Sequence, residues 1–268
     1  MKTSMLDIDE LKILLDTQGY AIVPAMVPPQ LLARMSEGLY RVRDRIEDEI
    51  GRFRLERAKE VGVLRLMMRF DPVFTELLEL PILLTLVDEL MGSTAILHLQ
   101  NGLLLPPASE PDADVFQYRF HQDFPRYLTG YRASLNVMIA IDAFTAENGA
   151  TLVVPATHQR EIAPLGEFCR RWARPVICAA GDAIVFDSTL WHAAGINRSS
   201  RDRLAINHQF TRSWIKQQID YCRALDASLL DGLPERSRQL LGYYTRVVAS
   251  LDDYYQPTEH RLYRSGQG

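Results

Sequence analysis

The sequence predicts an α+β protein whose centre is mainly β, a double-stranded β-helix (cupin-like jelly roll), with N-terminal and C-terminal helices. Residues 94–214 carry short runs of β-branched and aromatic residues separated by Gly, Pro and Asn turn signals. Residues 1–92 and 215–268 instead place apolar residues at helical spacing. We expect no helices between the central strands, which favours a closed antiparallel double sheet over a parallel one. Because the sequence shows no internal repeat, we expect residues 1–268 to form a single domain.

The N-terminal part is expected to contain three helices and one strand. Apolar spacing predicts a helix over residues 6–15, and residues 20–24 are typical of a short strand. A Pro pair then opens a long amphipathic helix over residues 28–50. Residues 81–91 form a further predicted helix that ends at a glycine.

The central and C-terminal parts follow two different patterns. In the C-terminal part, residues 217–230 and 235–255 are predicted helices. The central strands are predicted at residues 94–104, 115–121, 133–141, 151–154, 176–178, 183–186 and 203–211.

Composition narrows the classes of partner. The chain has 268 residues with 47% hydrophobic content and a net charge of −4, so nucleic acid is not expected as its main partner. The three cysteines are odd in number and lack zinc-site spacing, which indicates reduced thiols in a cytoplasmic protein. No apolar run approaches the length of a membrane span. We expect a cytoplasmic protein that binds a small molecule, with its oligomeric state left open.

Three residues form a candidate metal site. Alternate residues of an extended strand share a face, so His121 and Asp123 can converge on one point. His192 follows a predicted buried strand and supplies a second imidazole. Two histidines and one carboxylate are the ligand set of non-haem Fe(II) oxygenases, which leaves coordination positions open for a cosubstrate and O₂. The same set also accepts Zn²⁺.

The last central strand places a cation on the cavity side. Arg203, Ala205, Asn207 and Gln209 share one face of residues 203–211, because they alternate with Leu204, Ile206, His208 and Phe210 on the other. We expect this face to point into a cavity beside the metal. Arg201, two residues earlier, is the competing cation.

The motifs resemble those of the phytanoyl-CoA dioxygenase family of Fe(II)/2-oxoglutarate-dependent oxygenases. The likeness runs in order over roughly residues 10 to 214. The matching pieces are Gly19-Tyr20-Ala21-Ile22-Val23-Pro24, Phe120-His121-Gln122-Asp123, Glu147-Asn148-Gly149-Ala150, Val154-Pro155-Ala156-Thr157-His158, Gly181-Asp182, Trp191-His192-Ala193-Ala194-Gly195 and Asn197-Arg198-Ser199 with Arg203.

The resemblance implies a complete cofactor set. Fe(II) would be held by His121, Asp123 and His192, with 2-oxoglutarate as cosubstrate and O₂ as oxidant. Arg203 fits the family's Asn-x-Ser-x-x-x-Arg pattern and would hold the distal carboxylate of 2-oxoglutarate, for which a planar guanidinium is well suited. Asn136 is a further candidate for cosubstrate binding, and a backbone contact is its alternative. The expected reaction hydroxylates a substrate C–H bond and releases succinate and CO₂.

Two departures from the family pattern bear on the substrate. Met138 stands where the phytanoyl-CoA enzyme has a Trp beside the cosubstrate, and Ala194 stands where it has a Ser. With an acidic, Pro-rich segment at 106–114 and a segment rich in Arg and Tyr at 124–132 bordering the mouth, we expect a small or medium-sized polar metabolite. An acyl-CoA thioester is the alternative substrate class. A non-redox metal-binding cupin or isomerase is the alternative function, and an inactive relative serving as an interaction surface is a third reading.

Overall fold

The β-strands form two antiparallel sheets. The computed structural model describes residues 7–108 and 118–267. Within them, a six-stranded sheet has the order β1-β7-β4-β9-β3-β2, and a three-stranded sheet has the order β6-β5-β8. The strands are β1 Tyr20–Val23, β2 Val63–Leu64, β3 Ile96–Leu105, β4 Ser134–Ala140, β5 Thr151–Val153, β6 Arg174–Pro175, β7 Ala183–Asp187, β8 His192–Ala194 and β9 Arg203–Thr211.

Helices flank the sheets at both ends of the chain. The long helix α2 begins with a proline in its first turn and buries one stripe that includes Met35, Leu39 and Val42. The α-helices are α1 Ile8–Thr17, α2 Pro29–Ile50, α3 Arg52–Ala58, α4 Met67–Phe70, α5 Pro81–Met91, α6 Gly166–Trp172, α7 Tyr221–Ala224, α8 Ala227–Gly232, α9 Glu235–Leu240 and α10 Leu251–Tyr254. In the part of the chain that the structure describes, none of these helices combines the length and apolar character needed to cross a membrane.

Alternation along the large sheet separates a core from a cavity wall. On β4, Leu135 and Val137 belong to the main apolar cluster, which also contains the buried faces of α1, α2 and α5. Met138 and Ala140 belong to a smaller cluster with Val153 of the second sheet. One face of the large sheet therefore packs on helices, and the other faces the second sheet. Arg203 lies on this second face, because it alternates along β9 with Ala205, which belongs to the smaller cluster, on the same side.

Most of the predicted elements are confirmed, with differences at the edges and the C-terminus. The last central strand covers Arg203–Thr211, as predicted. The strand expected at 176–178 is wrong: β6 pairs two residues earlier with β5, and Cys178 makes only an isolated bridge to Phe144. Val176 and Cys178 are both buried and each makes backbone hydrogen bonds, to Thr151 and Phe144, but these contacts do not extend into a continuous strand.

Two further expectations need correction. Helix α6 lies between β5 and β6, so the central strands are not free of interleaved helices. The long C-terminal helices break into short ones: residues 225–226 are extended between α7 and α8, and Gly242, with a φ of 84°, follows the end of α9. Much of the strand predicted at 115–121 lies outside the described residues, and of the rest only His121 pairs, as a bridge to His192.

Candidate metal and cosubstrate site

The two predicted histidine ligands face each other across a backbone bridge. The amide of His121 donates to the carbonyl of His192 at 3.0 Å, and the amide of His192 returns the bond to His121 at 3.0 Å. Their ring centroids are 4.4 Å apart. The short strand β8 thus places His192 opposite the start of the His-x-Asp motif. The backbone bridge between His121 and His192 brings these two residues together although they are far apart in the sequence.

Asp123 completes the cluster. Its Oδ1 lies 3.4 Å from Nε2 of His121, and its Oδ2 lies 3.8 Å from Nε2 of His192. One ligand atom from each of the three residues falls within 4.8 Å of the others. The structure therefore brings together all three residues that the sequence analysis selected, in an arrangement that could hold a divalent metal ion.

Backbone carbonyls set the orientation of both imidazoles. Nδ1 of His121 lies 2.8 Å from the carbonyl of Arg119, and Nδ1 of His192 lies 3.0 Å from the carbonyl of Leu190. Because a carbonyl oxygen only accepts, each Nδ1 carries a proton, so the neutral form of each imidazole has its lone pair on Nε2. A hydrogen bond from Nδ1 to a carbonyl is usual for a histidine whose Nε2 binds a metal.

The electrostatics keep Asp123 ionised and His192 neutral, which are the forms that bind a metal. Burial by itself would raise the pKa of Asp123, but the nearby His192 and His121 and the hydrogen bond from Asn136 lower that pKa to about 2. Burial lowers the pKa of His192, so its imidazole stays neutral. At His121 burial also acts to lower the pKa, but contact with Asp123 outweighs it and raises the pKa. A bound cation would reverse this last effect by holding the imidazole in its neutral form.

Asn136 is hydrogen-bonded to protein groups at both ends of its side-chain amide. Its Nδ2 donates to Oδ2 of Asp123 at 2.6 Å, and its Oδ1 accepts from the hydroxyl of Ser188. The side chain is fully buried, and the cavity described below is lined without it. The predicted contact with a cosubstrate stays a prediction. In the structure Asn136 fixes the carboxylate of Asp123, and Ser134 extends the chain of hydrogen bonds with a 2.8 Å bond to Ser188.

Arg203 lies buried beside this cluster without an acceptor for much of its guanidinium. It is the first residue of β9 and is 3% exposed. Its guanidinium carbon lies 4.2 Å from the ring centroid of Phe144, and its Nε and Nη1 have no hydrogen-bond partner in the described chain. Burial lowers the pKa of Arg203 to about 10. An unpaired buried guanidinium is costly, so an anionic ligand group is the partner it lacks.

One cavity joins the three-residue cluster to Arg203. Its volume is about 370 Å³, within the range of small-molecule sites. Met138 and Ala194, the two departures from the family pattern, both line it. The competing cation does not reach it: Arg201 is exposed and lies in the turn before β9.

The segment 124–132 does not border this cavity as predicted. Arg126, Tyr127, Tyr131 and Arg132 line a separate cavity of about 700 Å³. Arg132 there lies close to Asp16 and Asp187, at 2.7 and 3.4 Å. Such ion pairs determine which way the segment 124–132 runs, and hydrophobic periodicity in the sequence does not indicate them. The other predicted border, the segment 106–114, falls largely outside the described residues.

Several polar residues of the cavity were not selected from the sequence. Asn101, Asn207 and Gln209 contribute side chains from the six-stranded sheet. The alternation of β9 already places Asn207 and Gln209 on the face of Arg203, so that pattern was the available signal. Glu60 and Arg65 also line the cavity but come from the helical N-terminal part, for which the sequence offers no comparable signal.

Comparison with known proteins agrees with this geometry. The family model for phytanoyl-CoA dioxygenase (PhyH) matches residues 15–205. The uncharacterized protein Rv1501 of Mycobacterium tuberculosis is 57% identical over 97% of this chain and 96% of its own length. The dioxygenase cdmD of Talaromyces verruculosus is 34% identical over 42% of this chain and 36% of its own length.

A solved structure shares the fold at low sequence identity. It is that of the epimerase SnoN in complex with Fe³⁺, alpha-ketoglutarate and nogalamycin RO. It superposes with a TM-score of 0.58 and 20% identity, covering 85% of this chain and 90% of that one. This likeness establishes a common fold.

Proposed function

We propose that this chain, which belongs to the phytanoyl-CoA dioxygenase family, is an Fe(II)/2-oxoglutarate-dependent dioxygenase that hydroxylates a C–H bond of a small or medium-sized polar metabolite. A single observation carries the proposal. The cluster of His121, Asp123 and His192 opens into the same cavity as a buried arginine that lacks a partner. A metal alone would not need that arginine, whereas a dicarboxylate cosubstrate does.

His121, Asp123 and His192 would hold the iron. Their hydrogen bonds to backbone carbonyls and to Asn136 point the two Nε2 lone pairs and the carboxylate at one place before any metal arrives. A facial set of three protein ligands leaves room for a chelating cosubstrate and for O₂. When bound, Fe(II) would activate O₂ with two electrons supplied by the oxidative decarboxylation of 2-oxoglutarate, so that one oxygen atom of O₂ is inserted into a C–H bond.

Arg203 would bind the distal carboxylate of 2-oxoglutarate. The ring of Phe144 supports the guanidinium from one side, which limits its motion and directs its unpaired N–H groups. Holding the cosubstrate at its far end orients its other end toward the cluster. The overall reaction balances as substrate C–H, 2-oxoglutarate and O₂ giving substrate C–OH, succinate and CO₂.

The fold suits this chemistry. We assign the two antiparallel sheets to a double-stranded β-helix of the jelly-roll type, within a single domain formed by residues 1–268. Side chains from both sheets enclose the cavity, which restricts water near the reacting atoms.

The test is succinate formation by the purified protein. With Fe(II), 2-oxoglutarate and O₂ we expect succinate and CO₂ in equal amounts. Neither product should form when any one of these three components is left out. Replacing Fe(II) by Zn²⁺ should abolish succinate formation while leaving a metal bound. Catalysis of a non-redox reaction with Zn²⁺, without succinate formation under any iron condition, would contradict the proposal and favour the non-redox cupin.

A further inference from the structure

The six-stranded sheet contributes a row of amide side chains to the cavity. Asn207 and Gln209 lie on the inward face of β9, and Asn101 lies on β3 directly opposite Asn207 in the strand register. All three residues are buried, with Asn207 only 5% exposed. The row is continuous because adjacent strands place paired residues side by side.

Each of these amides has an unused hydrogen-bonding end among the residues that the structure describes. Gln209 donates through Nε2 to Oγ of Ser134 at 3.0 Å and to the carbonyl of Asp123 at 3.4 Å, and its Oε1 has no donor. Oδ1 of Asn101 accepts from Nη1 of Arg65 at 2.6 Å, and its Nδ2 has no acceptor. Oδ1 of Asn207 is buried and unpartnered.

The partners fix which end of two of these amides is unused. The carbonyl of Asp123 only accepts, so the atom of Gln209 facing it must be the nitrogen, and Oε1 remains the open end. Arg65 only donates, so Asn101 must turn its oxygen toward it and leave Nδ2 open. The wall of the cavity that is formed by Asn101, Asn207 and Gln209 therefore presents at least one acceptor and one donor to a bound ligand. Buried polar groups of this kind are normally satisfied.

The charged side chains at this edge of the cavity have partners among their surroundings. Both oxygens of Glu60 accept from the guanidinium of Arg65, at 2.9 and 3.1 Å, and the remaining bond of Arg65 goes to Asn101. Lys59, at the same edge, is not a free cation either. Arg203 is already assigned to the cosubstrate. An ionised phosphate or carboxylate group on the substrate can only accept hydrogen bonds. It would therefore leave the acceptor Oε1 of Gln209 without a donor.

We propose that Asn101, Asn207 and Gln209 bind the substrate to be oxidised, and that this substrate is a neutral molecule bearing several hydroxyl groups, of the kind found in glycosides and polyols. The inference rests on the proposed dioxygenase function. A hydroxyl group both donates and accepts, so a pair of neighbouring hydroxyls can satisfy the donor of Asn101 and the acceptor of Gln209 together. An acyl-CoA thioester, whose head is polyanionic, does not match this wall.

Matched neutral and anionic probes test the inference. We would measure succinate formation by the Fe(II)-loaded protein with methyl α-D-glucopyranoside or trehalose, and with glucose 6-phosphate, glucuronate or butyryl-CoA. The neutral probes should stimulate succinate formation above the rate without probe, by about tenfold more than the anionic probes do. Binding of 2-oxoglutarate without any probe is measured in parallel, because it reports on the proposed function alone.

Substitutions separate recognition from folding. Asn207→Ala should raise KM for the better neutral probe by roughly 5- to 30-fold, the loss expected for one or two hydrogen bonds. Asn207→Lys should shift the preference toward glucose 6-phosphate. Gln30→Ala, an exposed amide on α2, is the matched control and should leave the profile unchanged. Thermal unfolding of each variant verifies that it folds.

The outcomes are distinct. If the wild-type protein binds 2-oxoglutarate but responds to none of the neutral probes, or prefers the anionic ones, this inference is overturned and the proposed function stands. If 2-oxoglutarate does not bind at all, both fall. An unchanged KM in a folded Asn207→Ala variant would also show that Asn207 does not take part in substrate binding, which contradicts the inference.

Discussion

Replacing Arg203 by Met should stabilise the protein without cosubstrate and at the same time abolish tight cosubstrate binding. Met keeps an apolar side chain of similar length over the ring of Phe144 but removes the buried charge. The two effects have opposite signs because the same guanidinium costs stability when unpaired and binds a carboxylate when one is present.

The magnitudes follow from the burial of the guanidinium. Burial lowers the pKa of Arg203 to about 10, which corresponds to on the order of 3 kcal/mol against the charged form in the folded state. Since the pKa is lowered, the penalty is fully present at every pH below about 10, where the group is charged in both folded and unfolded chains. After relaxation we expect Arg203→Met to raise the free energy of unfolding by about 1–3 kcal/mol. Loss of a charge-assisted bidentate contact should weaken 2-oxoglutarate binding by roughly 30- to 1000-fold.

Urea unfolding and calorimetric titration measure the two effects on the same samples. The wild-type protein should gain stability on adding 2-oxoglutarate with a divalent metal, whereas Arg203→Met should begin more stable and gain little. Arg201→Met, at an exposed position in the preceding turn, should change neither quantity. A marked loss of stability in Arg203→Met, or retention of wild-type affinity for 2-oxoglutarate, would refute the reasoning.

Three further predictions concern other parts of the molecule. His121→Ala and His192→Ala should each remove succinate formation while leaving the thermal unfolding transition in place, and full turnover by either folded variant would exclude it as a metal ligand. Asn136→Ala should lower Fe(II) affinity by about 10- to 100-fold, measured by metal titration, because Asp123 loses the bond that orients its carboxylate; unchanged affinity would show that the bond is not needed. Burial lowers the pKa of His208 to about 3, so below pH ~6.5 the unfolded chain binds more protons than the folded one. The free energy of unfolding should therefore decrease as the pH is lowered from about 6.5 to about 3, by up to about 1.4 kcal/mol per pH unit, and level off below that. His208→Gln should flatten that dependence, and identical pH profiles for the two proteins would contradict the assignment.

The sequence predicted best what depends on alternation along one strand. The alternation of residues 203–211 placed Arg203 on the face that lines the cavity, an inference that uses only the period of an extended chain. His121 and Asp123 also come together as expected, but Asp123 lies in a bend after the β-bridge of His121, so their meeting does not follow from strand alternation.

Features that depend on distant partners were not predictable in the same way. The contact of Asn136 with Asp123 depends on the final positions of that carboxylate and of Ser188, whereas the sequence suggested only a cosubstrate or a backbone group as partner. Arg65 reaches the cavity because it directly follows β2, the edge strand that pairs with β3, and no pattern in the surrounding sequence indicates this pairing. Loop direction at 124–132 likewise follows from ion pairs formed far along the chain.

An anaerobic titration of the Fe(II)-loaded protein with 2-oxoglutarate tests the central claim most directly, because it requires no substrate. The account predicts a visible charge-transfer absorption that saturates at one equivalent per chain, that is absent in His121→Ala, and that needs far more 2-oxoglutarate in Arg203→Met. The absence of such a band in the wild-type protein, or a band of equal affinity in all three proteins, would contradict a shared iron and cosubstrate site in this cavity.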